Sequence, residues 1–334
     1  MMEIPRAGFV SIPTPIERLD RVSEDFEIDL WVKRDDLAGS SFGGNKTRQL
    51  DFYLGAAVDQ NCDTILITGA VQSNFVRTAA ALAAKLGMRT IVQLEARVPG
   101  QDVLYQSSGN VLLNQLLGAE VIYYADGEDE AGADAALRER AEQERAKGFR
   151  PYVIPLALGN PPLGALGYVD AANEIMDQKP DFDFVVVASG SGHTHAGLLT
   201  GLHSRCFAGC VIGSCVRRDA VQQRARIRTV LDDIETLGTP VKHVPSDQIS
   251  IWDGALSPGY GQIGPAAFSA MKMMAHTEGM ILDPVYTAKA FAAIPAHVGN
   301  GEITKGSKVL FVHTGGLASF FAYQTEISRL LDIS

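Results

Sequence analysis

Lys46 stands in Gly43-Gly44-Asn45-Lys46-Thr47-Arg48, a glycine-rich turn that delivers an amine to the start of a helix. A Schiff-base lysine must be able to shed its proton where a flat ring can approach the backbone, and glycines permit that approach. A surface lysine after a loop has the same local pattern, so both readings stand for the motif alone. A second segment, Ser189-Gly190-Ser191-Gly192-His193-Thr194-His195-Ala196-Gly197, follows the apolar run FVVVA. A strand, a Gly/Ser/Thr loop and a helix start gather N–H groups and hydroxyls at a positive helix end, which suits a phosphate; a tight turn is the alternative. The lysine of a nucleoside-triphosphate P-loop is absent. So are the third glycine and the distal acidic residue of a dinucleotide fingerprint.

Val71-Gln72-Ser73-Asn74 follows the run TILIT and Gly69-Ala70 and precedes a helical pattern. Donors at that helix start can form a carboxylate pocket, or Ser73 or Asn74 can simply cap the helix. Phe311-Val312-His313-Thr314-Gly315-Gly316 ends a strand in a hydroxyl followed by two glycines. Pro258-Gly259-Tyr260-Gly261 and Asp283-Pro284-Val285-Tyr286-Thr287 each present a tyrosine on a loop.

Alternating apolar runs and Ala-rich helical stretches position these residues. Strands are expected at Leu30 to Lys33, Thr64 to Thr68, Thr90 to Leu94, Ala119 to Tyr124, Tyr152 to Pro155, Phe184 to Ala188, Gly209 to Ser214 and Lys308 to His313. Helical patterns fall between them at Thr78 to Leu86, Val111 to Leu117 and Glu130 to Lys147, the last with a charged, solvated face. This rhythm is that of an α/β protein with open twisted parallel sheets and helices on both faces. The chain is long enough for two domains: residues 1–50 plus 151–334 form the larger and 51–150 a smaller inserted α/β domain.

The net charge of −10 excludes the basic face that nucleic acid or an anionic membrane requires. No segment approaches the length of a membrane span, and MMEIPRAGFV is not a signal peptide, so a cytoplasmic location is expected. Cys62, Cys206, Cys210 and Cys215 lack metal-ligand spacing and read as reduced core residues, with no metal site.

Taken in order, Pro13-Thr14-Pro15, Lys33-Arg34-Asp35-Asp36, Gly43-Gly44-Asn45-Lys46, Gln72-Ser73-Asn74, the Ser189 to Gly197 loop, Pro258-Gly259-Tyr260-Gly261, Leu282-Asp283-Pro284-Val285-Tyr286 and His313-Thr314-Gly315-Gly316 make the chain resemble the D-cysteine desulfhydrase and 1-aminocyclopropane-1-carboxylate (ACC) deaminase family. That family consists of fold-type II, tryptophan synthase β-like enzymes that depend on pyridoxal 5'-phosphate (PLP). The resemblance implies a homodimer acting on a small amino acid. Lys46 would carry the cofactor, Asn74 would bond its phenolic oxygen, and Gly190, Ser191, Gly192, His193 and Thr194 would hold its phosphate. Thr314 would face the pyridine nitrogen; a hydroxyl does not keep that nitrogen protonated as Asp would, which suits elimination over racemisation or transamination. Gln72, Ser73, Asn74 and Tyr260 would bind substrate, with Lys46, Ser73, Tyr260 and Tyr286 as the catalytic residues.

The implied reaction is α,β-elimination on a β-substituted amino acid, giving pyruvate and ammonia. D-cysteine is the first candidate, followed by L-cysteate, ACC, and serine or threonine. A non-catalytic PLP or amino-acid binding protein is the rival class. Three departures from the family lie near the site. Phe75 replaces the usual His, His193 stands where the loop usually has glycine, and Pro155-Leu156-Ala157-Leu158-Gly159-Asn160 replaces a Pro-x-Gly-Gly-Ser segment. At His193 the sequence allows either strain at positive φ or an added phosphate contact.

Overall fold

The computed structural model describes residues 4–333. Ten strands form two sheets: β1 (Ile16–Arg18), β2 (Asp29–Lys33), β3 (Thr64–Ala70), β4 (Arg89–Glu95), β5 (Glu120–Tyr124), β6 (Pro151–Ile154), β7 (Phe184–Ser189), β8 (Cys210–Cys215), β9 (Ser250–Trp252) and β10 (Lys308–Val312). The six-stranded sheet has the order β1-β2-β10-β7-β8-β9, and the four-stranded sheet the order β5-β4-β3-β6. Every pairing is parallel except the edge pair β1–β2. Central strands are covered on both faces, so they read as continuous apolar runs; β3 is buried at all seven positions.

Two expectations from sequence need correction. β6 pairs with β3, so a division at residue 150 would cut the last strand from the smaller sheet. The helix Asn45–Asp59 likewise runs through the division placed at residue 50. One apolar core joins the sheets, with Val32, Val186 and Phe311 from the larger and Ile67 and Val92 from the smaller. The cysteines are free, but Cys206 is exposed rather than in the core.

Beneath the helix Asn45–Asp59 lies a buried ionic network. Arg48 donates to both Asp35 carboxylate oxygens at 3.0 and 2.9 Å, and the Tyr168 and Thr14 hydroxyls add bonds of 2.6 and 2.8 Å. Glu174 bridges Arg48 to the buried Lys33. These contacts join the Thr14 and Asp35 segments to the helix that carries Lys46, and they fix its position over the larger sheet.

Candidate active site

Lys46 is the second residue of its helix, and the turn before it uses positive φ at Gly43 (57°) and Gly44 (96°). A Cβ on Gly44 would lie 3.0 Å from the Thr314 carbonyl oxygen, and one on Gly315 2.9 Å from Gly44 Cα. The Asn45 N–H donates to that Thr314 oxygen at 3.1 Å. The lysine turn and the turn after β10 thus meet backbone to backbone, a closeness that glycine permits.

Lys46 borders two adjoining cavities, one larger and one smaller. Its Nζ donates to Gln49 Oε1 at 3.2 Å and lies 5.4 Å from the centre of the Phe75 ring. Burial lowers the pKa of this amine to about 8, which brings its neutral, nucleophilic form near physiological pH.

The smaller cavity is lined by Lys46, Asn74, Gly190, Ser191, Gly192, Thr194, Tyr286 and Thr314, together with Asn45, Ala188 and Gly315, and no carboxylate is among them. Among the described residues, no protein acceptor takes the N–H groups of Gly190, Ser191 or Gly192. The helix His193–Ser204 begins directly after them, its positive end adding to the same anion cradle. Thr194 Oγ accepts from Asn45 Nδ2 and Gln49 Nε2, both at 2.8 Å, which leaves its own proton to donate. Asn74 Oδ1 accepts from Asn110 Nδ2 at 2.9 Å, so its Nδ2 is the end left for a ligand. Arg77 Nε in turn donates to Asn110 Oδ1 at 3.1 Å.

The larger cavity brings together Lys46, Ser73, Phe75, His193, Tyr260 and Tyr286. Ser73 caps the helix Asn74–Lys85, accepting from the Val76 N–H at 3.3 Å, and also faces this cavity. The Tyr260 and Tyr286 hydroxyls are 2.5 Å apart, and burial raises the pKa of both. Asp283 fixes the Tyr286 loop, its carboxylate accepting from the N–H groups of Val285, Tyr286 and Thr287.

Two expected ligand residues lie elsewhere. Gln72 borders neither cavity: its amide donates to the carbonyls of Tyr105 and Ser108 and accepts from the Asn110 N–H, so it holds a neighbouring connection in place. His193 opens its helix, and positive φ falls on Gly192 (102°) instead, so there is no strain at the histidine. Its side chain lines the larger cavity rather than the anion cradle. Burial, with the Lys46 charge adding to it, lowers its pKa to about 3 and keeps it neutral.

Four charged residues of the larger cavity have no counterpart among the sequence candidates: Arg97, Glu130, Arg217 and Arg218. The signal for them was positional. Arg217-Arg218 and Arg97 each follow the carboxyl end of a parallel strand, β8 and β4, where ligands gather in open α/β sheets. Of the replaced segment, Leu156 reaches this cavity while its N–H and that of Ala157 are tied to Asp134 at 3.0 and 3.1 Å.

A family model described as pyridoxal-phosphate dependent enzyme matches residues 10–315, and the chain belongs to that family. Within it, the chain is 38% identical over 331 residues to a D-cysteine desulfhydrase of Yersinia pestis, covering 98% of each chain. The crystal structure of an ACC deaminase homologue superposes with a TM-score of 0.86 at 35% identity, over 98% of this chain and 97% of that one. Threonine deaminase isoform 2 from Solanum lycopersicum shares the fold, at a TM-score of 0.66 and 15% identity, over 97% of this chain and 85% of that one. The chain is thus a PLP-dependent enzyme of fold type II, and the smaller cavity fits the cofactor. It offers a carboxylate-free cradle of free N–H groups for a phosphate and, at Lys46, an amine of lowered pKa.

Proposed function

We propose that this chain catalyses PLP-dependent α,β-elimination on a β-substituted alanine, with D-cysteine as its first substrate and pyruvate, ammonia and sulfide as products. The observation that carries this reading is the place of Lys46 at the junction of an anion cradle and a second cavity faced by two tyrosines. The D-cysteine desulfhydrase relative, matched over nearly the full length of both chains, supports the choice of substrate.

When bound, the cofactor supplies an electron sink for the carbon next to the substrate's amino group. Gly190 to Gly192 and Thr194 would hold its phosphate, Asn74 Nδ2 would donate to its phenolic oxygen, and the Thr314 hydroxyl would meet its ring nitrogen. Ser73 and the N–H groups that begin the helix Asn74–Lys85 receive the substrate carboxylate. Lys46 Nζ takes the α-hydrogen as a proton, and the Tyr260–Tyr286 pair returns one to the group that departs from the β-carbon. Phe75 and Leu156 keep water from the reacting carbons.

The test is 2-oxo acid release by the PLP-loaded protein: pyruvate from D-cysteine, L-cysteate and D-serine, and 2-oxobutanoate from ACC. Pyruvate and sulfide from D-cysteine are expected; no product from any of the four would overturn the elimination reading. In Lys46→Ala the cofactor's visible absorption band should be lost along with turnover. A cytoplasmic homodimer belongs to the same proposal, and sedimentation of the holoenzyme tests the dimer. Among the described residues, no helix is long and apolar enough to cross a membrane.

A further inference from the structure

Among the described residues that line the smaller cavity, Lys46 is the one cationic side chain, and it is committed to the cofactor's aldehyde carbon. A phosphate dianion in the Gly190 to Thr194 cradle therefore meets backbone and hydroxyl donors but no arginine. Positive charge reaches those donors from behind. Each cradle N–H shares a planar trans peptide unit with the carbonyl of the residue before it, and the two groups point in opposite directions. All three carbonyls have donors. Ser189 O accepts from the Val216 N–H at 3.2 Å, Gly190 O from Gln223 Nε2 at 3.1 Å and Arg218 Nη1 at 3.4 Å, and Ser191 O from Arg226 Nε at 2.8 Å. Gln223 and Arg226 stand three residues apart on the helix Ala220–Glu235, so they share a face. That helix packs against the loop: a Cβ on Gly192 would lie 3.3 Å from Val230 and 3.4 Å from Ile227. Both side chains are buried. Gln223 Nε2 also donates to Ser189 Oγ at 2.8 Å, and that hydroxyl meets His195 Nδ1 at 3.1 Å. The far end of Arg226 is gripped from the smaller sheet's side, by Glu130 Oε2 at 3.0 Å and the Leu156 carbonyl at 3.3 Å.

We infer that Arg226 is a positioning residue for the cofactor's phosphate, acting through the Ser191–Gly192 peptide rather than by contact, with Gln223 and Arg218 acting likewise through the Gly190–Ser191 peptide. A guanidinium is always charged. Its bond to a carbonyl oxygen draws electron density out of the amide and strengthens the N–H on the opposite side as a donor. The same bond fixes the peptide plane, so the carbonyl cannot turn toward the phosphate and repel it. Because Glu130 follows β5 and Leu156 follows β6, Arg226 also ties the cradle on the larger sheet to connections of the smaller one. The inference rests on the assignment of the Gly190 to Thr194 loop to the phosphate, and it is independent of which amino acid is consumed.

PLP and pyridoxal differ only in the phosphate, and Lys46 can take up either. Titrating full-length apoprotein with each, followed by the visible absorption band, therefore separates an effect on the phosphate from an effect on the fold. In Arg226→Gln, PLP should bind about tenfold more weakly while pyridoxal stays within about twofold of its wild-type affinity. Arg226→Lys keeps the charge without the fixed guanidinium geometry and should fall between the two. Gln223→Met removes a neutral donor at similar volume and should show the same selective loss, at about threefold. The phosphorus NMR resonance of bound PLP should shift in each variant. A loss of equal size for PLP and pyridoxal overturns the inference, because Arg226 would then only hold the loop's fold together; so does unchanged PLP affinity. If Arg226→Gln does not fold, Gln223→Met decides by the same two outcomes. Thr194→Val tests the cradle itself by removing a hydroxyl that faces the cavity. A selective PLP loss there, with none in the Arg226 and Gln223 variants, sinks the relay and leaves the phosphate assignment standing. No selective loss in any of them sinks both.

Discussion

At the scale of single residues, the site depends on side chains whose orientation is set by a neighbour. Asn74 presents Nδ2 to the cofactor cavity because Asn110 occupies its oxygen, and Arg77 fixes Asn110 in turn. Asn110→Ala frees the Asn74 amide to turn, and cofactor affinity should fall about tenfold, read from release of the visible absorption band on dilution; hydrogen bonds to charged or oriented groups carry about that free energy. Lys46 gives a pH dependence of definite sign. Its apoprotein pKa, lowered by burial to about 8, means that the amine able to attack the cofactor's aldehyde is scarce at acid pH. The rate of PLP uptake by apoprotein should therefore rise about tenfold per pH unit below that value and level off above it, followed by stopped-flow absorbance. Lys46, Thr314 and the Ser189 loop drew attention in sequence because their glycine-rich segments occur in the order of a known family; each segment alone fits an ordinary turn. Arg97, Glu130, Arg217 and Arg218 did not, because they come from separate connections and each reads locally as a solvated charge. Glu130 even opens the helix whose charges suggested a solvent-facing surface, yet its side chain is only 13% exposed.

At the scale of elements, the lysine turn and the turn after β10 form one joint. Gly315→Ala would place a methyl group 2.9 Å from Gly44 Cα at a φ of 84°, a cost of about 1–3 kcal/mol that should appear as a lower urea midpoint and weaker cofactor retention. The ionic network under the lysine helix makes a stronger demand. Asp35→Asn leaves Arg48, 2% exposed, without its bidentate partner, and should destabilise the protein by about 3–5 kcal/mol on urea unfolding. The central strands β3, β4, β7, β8 and β10 were readable because burial on both faces favours apolar runs. The edge strands β1 and β9, three residues each, were not readable: an exposed pair such as Glu17-Arg18 in β1 carries no such constraint. The C-terminal boundary of the small sheet was missed for a related reason, since parallel pairing of β6 to β3 is a long-range choice that β6's own residues do not encode.

At the scale of the whole molecule, Glu130 ties together segments from both sheets: it starts the helix after β5, whereas Arg217, Arg218 and Arg226 follow β8. Burial would raise its pKa, but Arg226, Arg218, Arg217 and Arg97 together outweigh burial and lower it from 4.5 to about 2. Because the folded value lies below the unfolded one, its contribution, of order 3 kcal/mol, is complete above pH 4.5 and fades as pH falls toward 2. Glu130→Gln should therefore lower stability at neutral pH and flatten the acid side of the stability profile, measured as urea midpoints across that range. The meeting of Gly44 with Gly315 has a consequence in time as well as in space. Each partner comes from near an opposite end of the chain, and the adjacent pairing of β2 with β10 spans a similar separation. During synthesis, chain segments emerge in order, so the smaller sheet is complete while the cofactor cradle still lacks one wall. A nascent chain arrested before Lys308 should hold no PLP; cofactor capture waits on β10 and so acts as a check that synthesis has passed it.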